Sequence, residues 1–158
     1  MIPAHEDSHG GHGGGADTCR DVSVSVELPA DVDELPAVFE AVEEFGERAG
    51  WSMAFVLQAQ LVLEEMMLNV MNHSGATDPV IMQLASRRGE AEFRIIDNGM
   101  PFDPTQAPTP PEQDSSSLMD MAIGGLGIHL VRSMVQDMRY RRVDGINHLT
   151  LVLSLSDD

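Results

Sequence analysis

The sequence predicts an α/β fold: a two-layer α/β sandwich whose mixed, mostly antiparallel sheet carries its helices on one face. Three observations predict it. The order of elements reads β-α-α-β-β-loop-α-β-β, which suits helices layered on one side of a sheet. The stretch 53–73 is helical in pattern yet apolar nearly all round, as expected of a helix pressed between a sheet and other helices. Two pairs of strand-like runs meet at glycine turns, one at Gly89 and one at Asp144-Gly145, the second a hairpin signal. A chain of 158 residues makes one domain, long enough to bury roughly 70% of its unfolded surface.

Residues 1–20 are rich in Gly and His and lack the apolar groups that offset ordering entropy, so they read as a disordered tail preceding a domain at 21–158. His5, His9 and His12 in that tail could capture a transition metal; a flexible leader with opportunistic affinity is the simpler reading. VSVSVEL at 22–28 alternates valine with polar residues, the period of a half-buried strand. In the next helix Leu35, Val38, Phe39, Val42 and Phe45 form one stripe, and Glu40, Glu43, Glu44 and Glu47 cover the other side. Asp33 is placed to cap it, Pro36 fits its first turn, and Gly50 ends it. Ser52 caps the second helix, which Gly75 and Pro79 close. PVIMQLASRR and EAEFRIIDN make two strands, and residues 98–123 a long loop with five prolines. An irregular stretch of that length in a small domain usually carries function. A third helix is predicted over 126–138, before the strands RYRRVD and INHLTLVLSL.

The formal net charge is −17, and all nine basic residues are arginine. Without lysine, P-loop phosphate capture, the kinase lysine of eukaryotic type and Schiff-base chemistry are excluded. Such acidity argues against a nucleic-acid partner, although amides, a helix N-terminus and a metal can still hold phosphates. The single cysteine, Cys19, permits no internal disulfide and fits a reducing compartment. No uninterrupted apolar run reaches the ~20 residues of a membrane span, and the N-terminus has no apolar signal core. A soluble cytoplasmic protein with no membrane partner is expected.

Three features carry chemistry. Glu65, Asn69 and His73 stand at i, i+4 and i+8 on the second helix, with Asn72 beside them. They form either a hydrogen-bond ladder to a neighbouring loop or a ligand site, since polar groups among methionines and leucines need partners. Asp97-Asn98-Gly99 puts a carboxylate at a strand end, followed by a glycine that allows close approach of a flat, amine-bearing ring. Gly124, Gly125 and Gly127 run into the third helix, where bare amides suit an anion.

In this order the set resembles the GHKL ATPase superfamily. LEEMMLNVMNHS, IIDNGMPFDP and IGGLGIHLVRSMVQDMRYRR look specifically like its bacterial anti-sigma-factor serine/threonine kinase branch, over roughly residues 22–156. The resemblance implies the Bergerat fold, with ATP and Mg2+ as ligands. It makes Asn69 the asparagine that coordinates magnesium and Glu65 the general base for a serine or threonine hydroxyl. Asp97 becomes the reader of the adenine amino group and Gly99 the glycine beside the ring. Gly124, Gly125 and Gly127 become the phosphate-facing turn, with 104–123 as the ATP lid.

The resemblance also implies a partner-switching function: phosphorylation of a STAS-type antagonist, capture of a sigma factor or similar regulator, and self-association into a homodimer. His73 matches a histidine of this branch with a supporting role, and no helical hairpin accompanies it to carry a phosphohistidine. His129 and His148 read as ordinary partly buried residues, and Met66, Met67, Met71, Met119, Met121, Met134 and Met138 as packing. One departure stands out. Relatives place an arginine in the lid, yet residues 103–123 contain no basic residue, and Arg132 is the nearest cation beyond. That motivates an alternative, a nucleotide-sensing module with little or no kinase activity.

Overall fold

The computed structural model describes residues 21–106 and 125–155. The tail 1–20, Gly124 and the loop from 107 onward lie outside the described residues. Five strands, β1 (Val22–Leu28), β2 (Val80–Arg87), β3 (Glu90–Asp97), β4 (Asp137–Val143) and β5 (Ile146–Ser154), form one sheet in the order β1-β2-β3-β5-β4. Every pairing is antiparallel, so the sheet is not mixed among the described strands. Alternation decides its faces. Val80, Met82 and Leu84 of β2, Ala91, Phe93 and Ile95 of β3, and Leu149, Leu151 and Leu153 of β5 are buried toward the helices. Ser23, Ser25, Arg94 and Arg139 are exposed on the other side.

Helices α1 (Leu35–Ala49), α2 (Met53–His73) and α3 (Gly125–Met134) cover the inner face. Val38, Val42 and Phe45 confirm the apolar stripe of α1, and Gly50 ends it in the left-handed region at φ 75°. The cap differs from expectation. Asp31, not Asp33, accepts from the Asp33 N–H (3.0 Å) and caps a 3-10 turn at Val32–Glu34 that leads into α1. The helix therefore needs no side-chain cap of its own. Ser52 caps α2 as predicted, its Oγ accepting from the Phe55 N–H at 3.1 Å.

Taken as a whole, α2 is long and apolar enough to cross a bilayer by length and composition. Its buried residues, from Phe55 through Met67, instead pack into the domain core. Trp51 stands at the α1–α2 junction between Phe45 and Phe55, with ring centroids 5.1 and 4.7 Å away, and its indole N–H donates to the buried Ser86 hydroxyl (3.0 Å). Helix α3 stops at Met134 rather than 138, because Met138 already packs inward from β4. The β4–β5 hairpin turns at Asp144 and Gly145, with φ 51° and 78°, the pair of positive values a tight two-residue turn demands.

Candidate active site

Helix α2 is the spine on which the predicted residues meet. Near its start the Gln58 amide donates to the Met134 carbonyl at the end of α3 (3.4 Å). Seven residues on, the Glu65 carboxyl lies against Gly127 in the first turn of α3. Seven residues separate Gly127 from Met134 as well, and both spans are about 10 Å of helix, so α3 runs antiparallel along α2. The far end of α2 meets the loop after β3. Ser74 Oγ donates to the Val70 carbonyl (2.6 Å), and the Met100 N–H donates to the Ser74 carbonyl (2.7 Å). Asn69 stands between these two contacts, one turn from Glu65 and five residues before Ser74.

The glycines earn their places through neighbours that spacing does not reveal. A Cβ on Gly127 would fall inside the Glu65 carboxyl group, 2.8 Å from its Cδ. A Cβ on Gly99 would lie 2.6 Å from both the carbonyl and the hydroxyl oxygen of Ser74. So the close approaches at these two positions are to α2 itself. Gly125 opens α3, as expected of a glycine at a helix start. Gly124 lies outside the described residues.

Asp97 is buried, with 6% of its surface exposed. Its Oδ1 accepts from the Gly99 N–H (2.8 Å) and from Asn147 Nδ2 (3.1 Å). Oδ2 accepts no hydrogen bond among the described residues, and so remains an acceptor for a ligand. Asn98 looks the other way. Its Oδ1 accepts from the N–H groups of Thr77 and Asp78 (3.0 and 3.1 Å), clasping the turn that follows α2.

Burial holds the Glu65 carboxyl above the usual carboxylate range, and the charge of Glu64 adds to the effect. Glu65 and Asn69 are half-buried, whereas Asn72 and His73 are exposed in the last turn of α2. The stripe is thus less costly than full burial implies, since water still reaches it. His129 is exposed, and Arg132 sits in the last turn of α3, at the opposite end from Glu65.

Among the described residues no group of three or more His, Cys, Asp or Glu is placed to hold a metal. Mg2+ needs no such cage: it keeps water and phosphate oxygens and takes one or two hard oxygen donors from protein. The Asn69 amide oxygen is a donor of that kind.

Asn147, Tyr140 and Arg142 adjoin Asp97 through hydrogen bonds that no sequence motif marks. Asn147 is 5% exposed and pairs with Asp97 across the β3–β5 ladder. A signal for it exists: it is the polar residue in an inward slot of a strand otherwise lined by Leu149, Leu151 and Leu153.

The histidine kinase-like ATPase domain family matches residues 28–153. The serine/threonine-protein kinase BtrW of Bordetella bronchiseptica is 35% identical over 113 residues, covering 70% of this chain and 78% of that protein. The serine-protein kinase RsbW of Listeria monocytogenes is 25% identical over 130 residues, covering 78% and 82%. A crystal structure of the RsbU and RsbW domains of Rv1364c from Mycobacterium tuberculosis superposes with a TM-score of 0.63 at 17% identity. It covers 87% of this chain but 33% of that longer one, and supports the fold alone.

Proposed function

The chain belongs to the histidine kinase-like ATPase domain family, and from that membership and the arrangement of these residues we propose that it is an ATP-dependent serine/threonine protein kinase of a partner-switching system. The observation that carries the reading is the convergence on α2. A carboxylate suited to accept a proton, an amide oxygen suited to a hard cation, and the first turn of α3 adjoin one another. A buried carboxylate with one free oxygen stands where β3 ends.

In this reading ATP lies between the end of β3 and the start of α3. Asp97 Oδ2 accepts from the adenine amino group, and the amides at the start of α3 face the phosphates. Mg2+, held by Asn69, would supply charge neutralisation to the triphosphate. Glu65 receives the proton of the incoming serine or threonine hydroxyl as its oxygen bonds to the γ-phosphorus. The bond from that phosphorus to the β,γ-bridging oxygen breaks, and ADP leaves. Phosphoryl transfer depends on such positioning and charge stabilisation more than on covalent chemistry. The substrate is the serine or threonine of a STAS-type antagonist, and the second partner a sigma factor or similar regulator, as in the branch the chain resembles. A homodimer is part of the same proposal.

The second reading, a nucleotide sensor with little transfer, is favoured by the arginine-free stretch 103–123 and by the position of Arg132 at the far end of α3. Incubation with γ-labelled ATP and a candidate STAS-type antagonist separates the two. Label on that protein, lost in Glu65→Ala while ATP affinity is largely kept, supports the kinase. ATP binding without label supports the sensor, and wild-type labelling by Glu65→Ala would remove Glu65 as the base.

A further inference from the structure

Asp97, Asn147 and Arg142 stand side by side on three adjacent strands, each opposite the next in register. Asn147 Oδ1 accepts from the Tyr140 hydroxyl and from Arg142 Nη1 at 2.8 Å. Its Nδ2 donates to Asp97 Oδ1 (3.1 Å) and to the Met100 carbonyl (2.9 Å). The same Arg142 nitrogen also donates to the Gly99 carbonyl at 2.9 Å. A guanidinium has donors and no acceptor, so the Asn147 amide cannot turn over without setting N–H against N–H. Arg142 therefore locks the amide with its donor toward Asp97, and the Tyr140 hydroxyl, which can donate or accept, follows that orientation.

That lock decides what Asp97 offers. With Oδ1 taken by Asn147 and Gly99, the carboxylate presents Oδ2, an acceptor only. An acceptor welcomes an exocyclic amine and refuses a carbonyl, and a site built around one buried polar group discriminates strongly against the analogue that cannot satisfy it. Were the amide released, it could leave Oδ1 and free the carboxylate to turn, so that its acceptor would no longer be fixed against the exocyclic amine. We propose that Arg142 is a positioning residue that sets the preference for 6-amino over 6-oxo purine nucleotides, acting through Asn147 and Asp97 without touching the base.

This rests on the reading that Asp97 meets the nucleobase, and the experiment keeps the two apart. Dissociation constants for ATP and inosine triphosphate, which differ at that amine, are measured on the full chain with melting curves for each variant. Arg142→Met is expected to lower the ATP-over-inosine ratio by about tenfold or more, the scale of losing a charged hydrogen bond. Arg142→Lys, which keeps a donor, should restore much of it. A purely structural role would weaken both nucleotides alike and leave the ratio unmoved. Should Arg142→Met fail to fold, Arg142→Gln, whose amide can meet either end of Asn147, should lower the ratio several-fold. An unchanged ratio in a folded variant overturns the proposal. If Asp97→Asn leaves ATP affinity intact, the underlying reading of Asp97 has failed instead; if it abolishes ATP binding while Arg142→Met keeps the ratio, the lock alone has failed.

Discussion

As the proposed base, Glu65 meets two demands that pull in opposite directions. A general base must be ionised to take a proton, yet burial and the neighbouring Glu64 charge hold this carboxyl above its ordinary range. The acidic limb of transfer should therefore lie at higher pH than for an exposed glutamate. Glu64→Gln removes the like charge and should move that limb toward lower pH, read from the pH profile of kcat at saturating ATP. A limb that stays in place would leave burial as the whole cause. The sign for stability follows from the same shift. A carboxyl whose folded pKa is raised binds its proton more tightly in the folded state. Its stabilising contribution is present below the unfolded pKa and is lost as pH rises through the folded one. Glu65→Gln, neutral at every pH, should thus melt slightly higher than wild type at neutral pH while losing transfer.

At the scale of elements, the packing of α3 against α2 gives Gly127 its meaning. Alanine suits a helix interior better than glycine by ~1 kcal/mol, so Gly127→Ala should not weaken α3 by propensity. It should instead push the Glu65 carboxyl out of place. Misplacing a reacting group by about 1 Å can cost roughly 100-fold in rate, so a loss of that order in kcat is expected. Glu65→Asp, which withdraws the carboxyl by one methylene, should recover part of the loss in the double variant; no recovery would mean that Gly127 serves the phosphates alone. The glycines were legible in the sequence as a motif, but their reason was not. Spacing along a chain says nothing about which side chain, 62 positions earlier, leans on a backbone. The same limit explains the third helix. Its apolar period continues through Met138 because the strand that follows also buries that residue, and periodicity alone does not mark the switch. Asp97 was legible only as part of the ordered set, because alone a carboxylate ending an apolar strand reads as an ordinary turn. Asn147 could have been found by placing the Asp144-Gly145 turn first and counting inward slots along β5.

For the whole molecule, the ligand proposed here is a polyanion and the chain carries −17. Stretches from three parts of the sequence, α2, the β3–β5 ladder and the start of α3, would all contact one nucleotide, so binding should stabilise the domain as a unit. At a free ligand concentration about 100 times Kd the gain is roughly 2.7 kcal/mol, which in a domain of this size raises Tm by about 5–10 °C. With no lysine, and no arginine between 103 and 123, little in the protein offsets charge between the phosphates and the acidic surface. The shift should therefore appear with ATP and Mg2+ together and shrink strongly when EDTA removes the metal. Screening sharpens the test, because the Debye length falls from about 30 Å at 0.01 M salt to about 8 Å at 0.15 M. Raising salt should recover part of the metal-free shift, the opposite of what a basic phosphate-binding surface shows. Asn69→Ala should behave with Mg2+ as wild type does with EDTA. An equal shift with and without the metal would mean that amides and dipole hold the triphosphate unaided, and would take Asn69 out of the site.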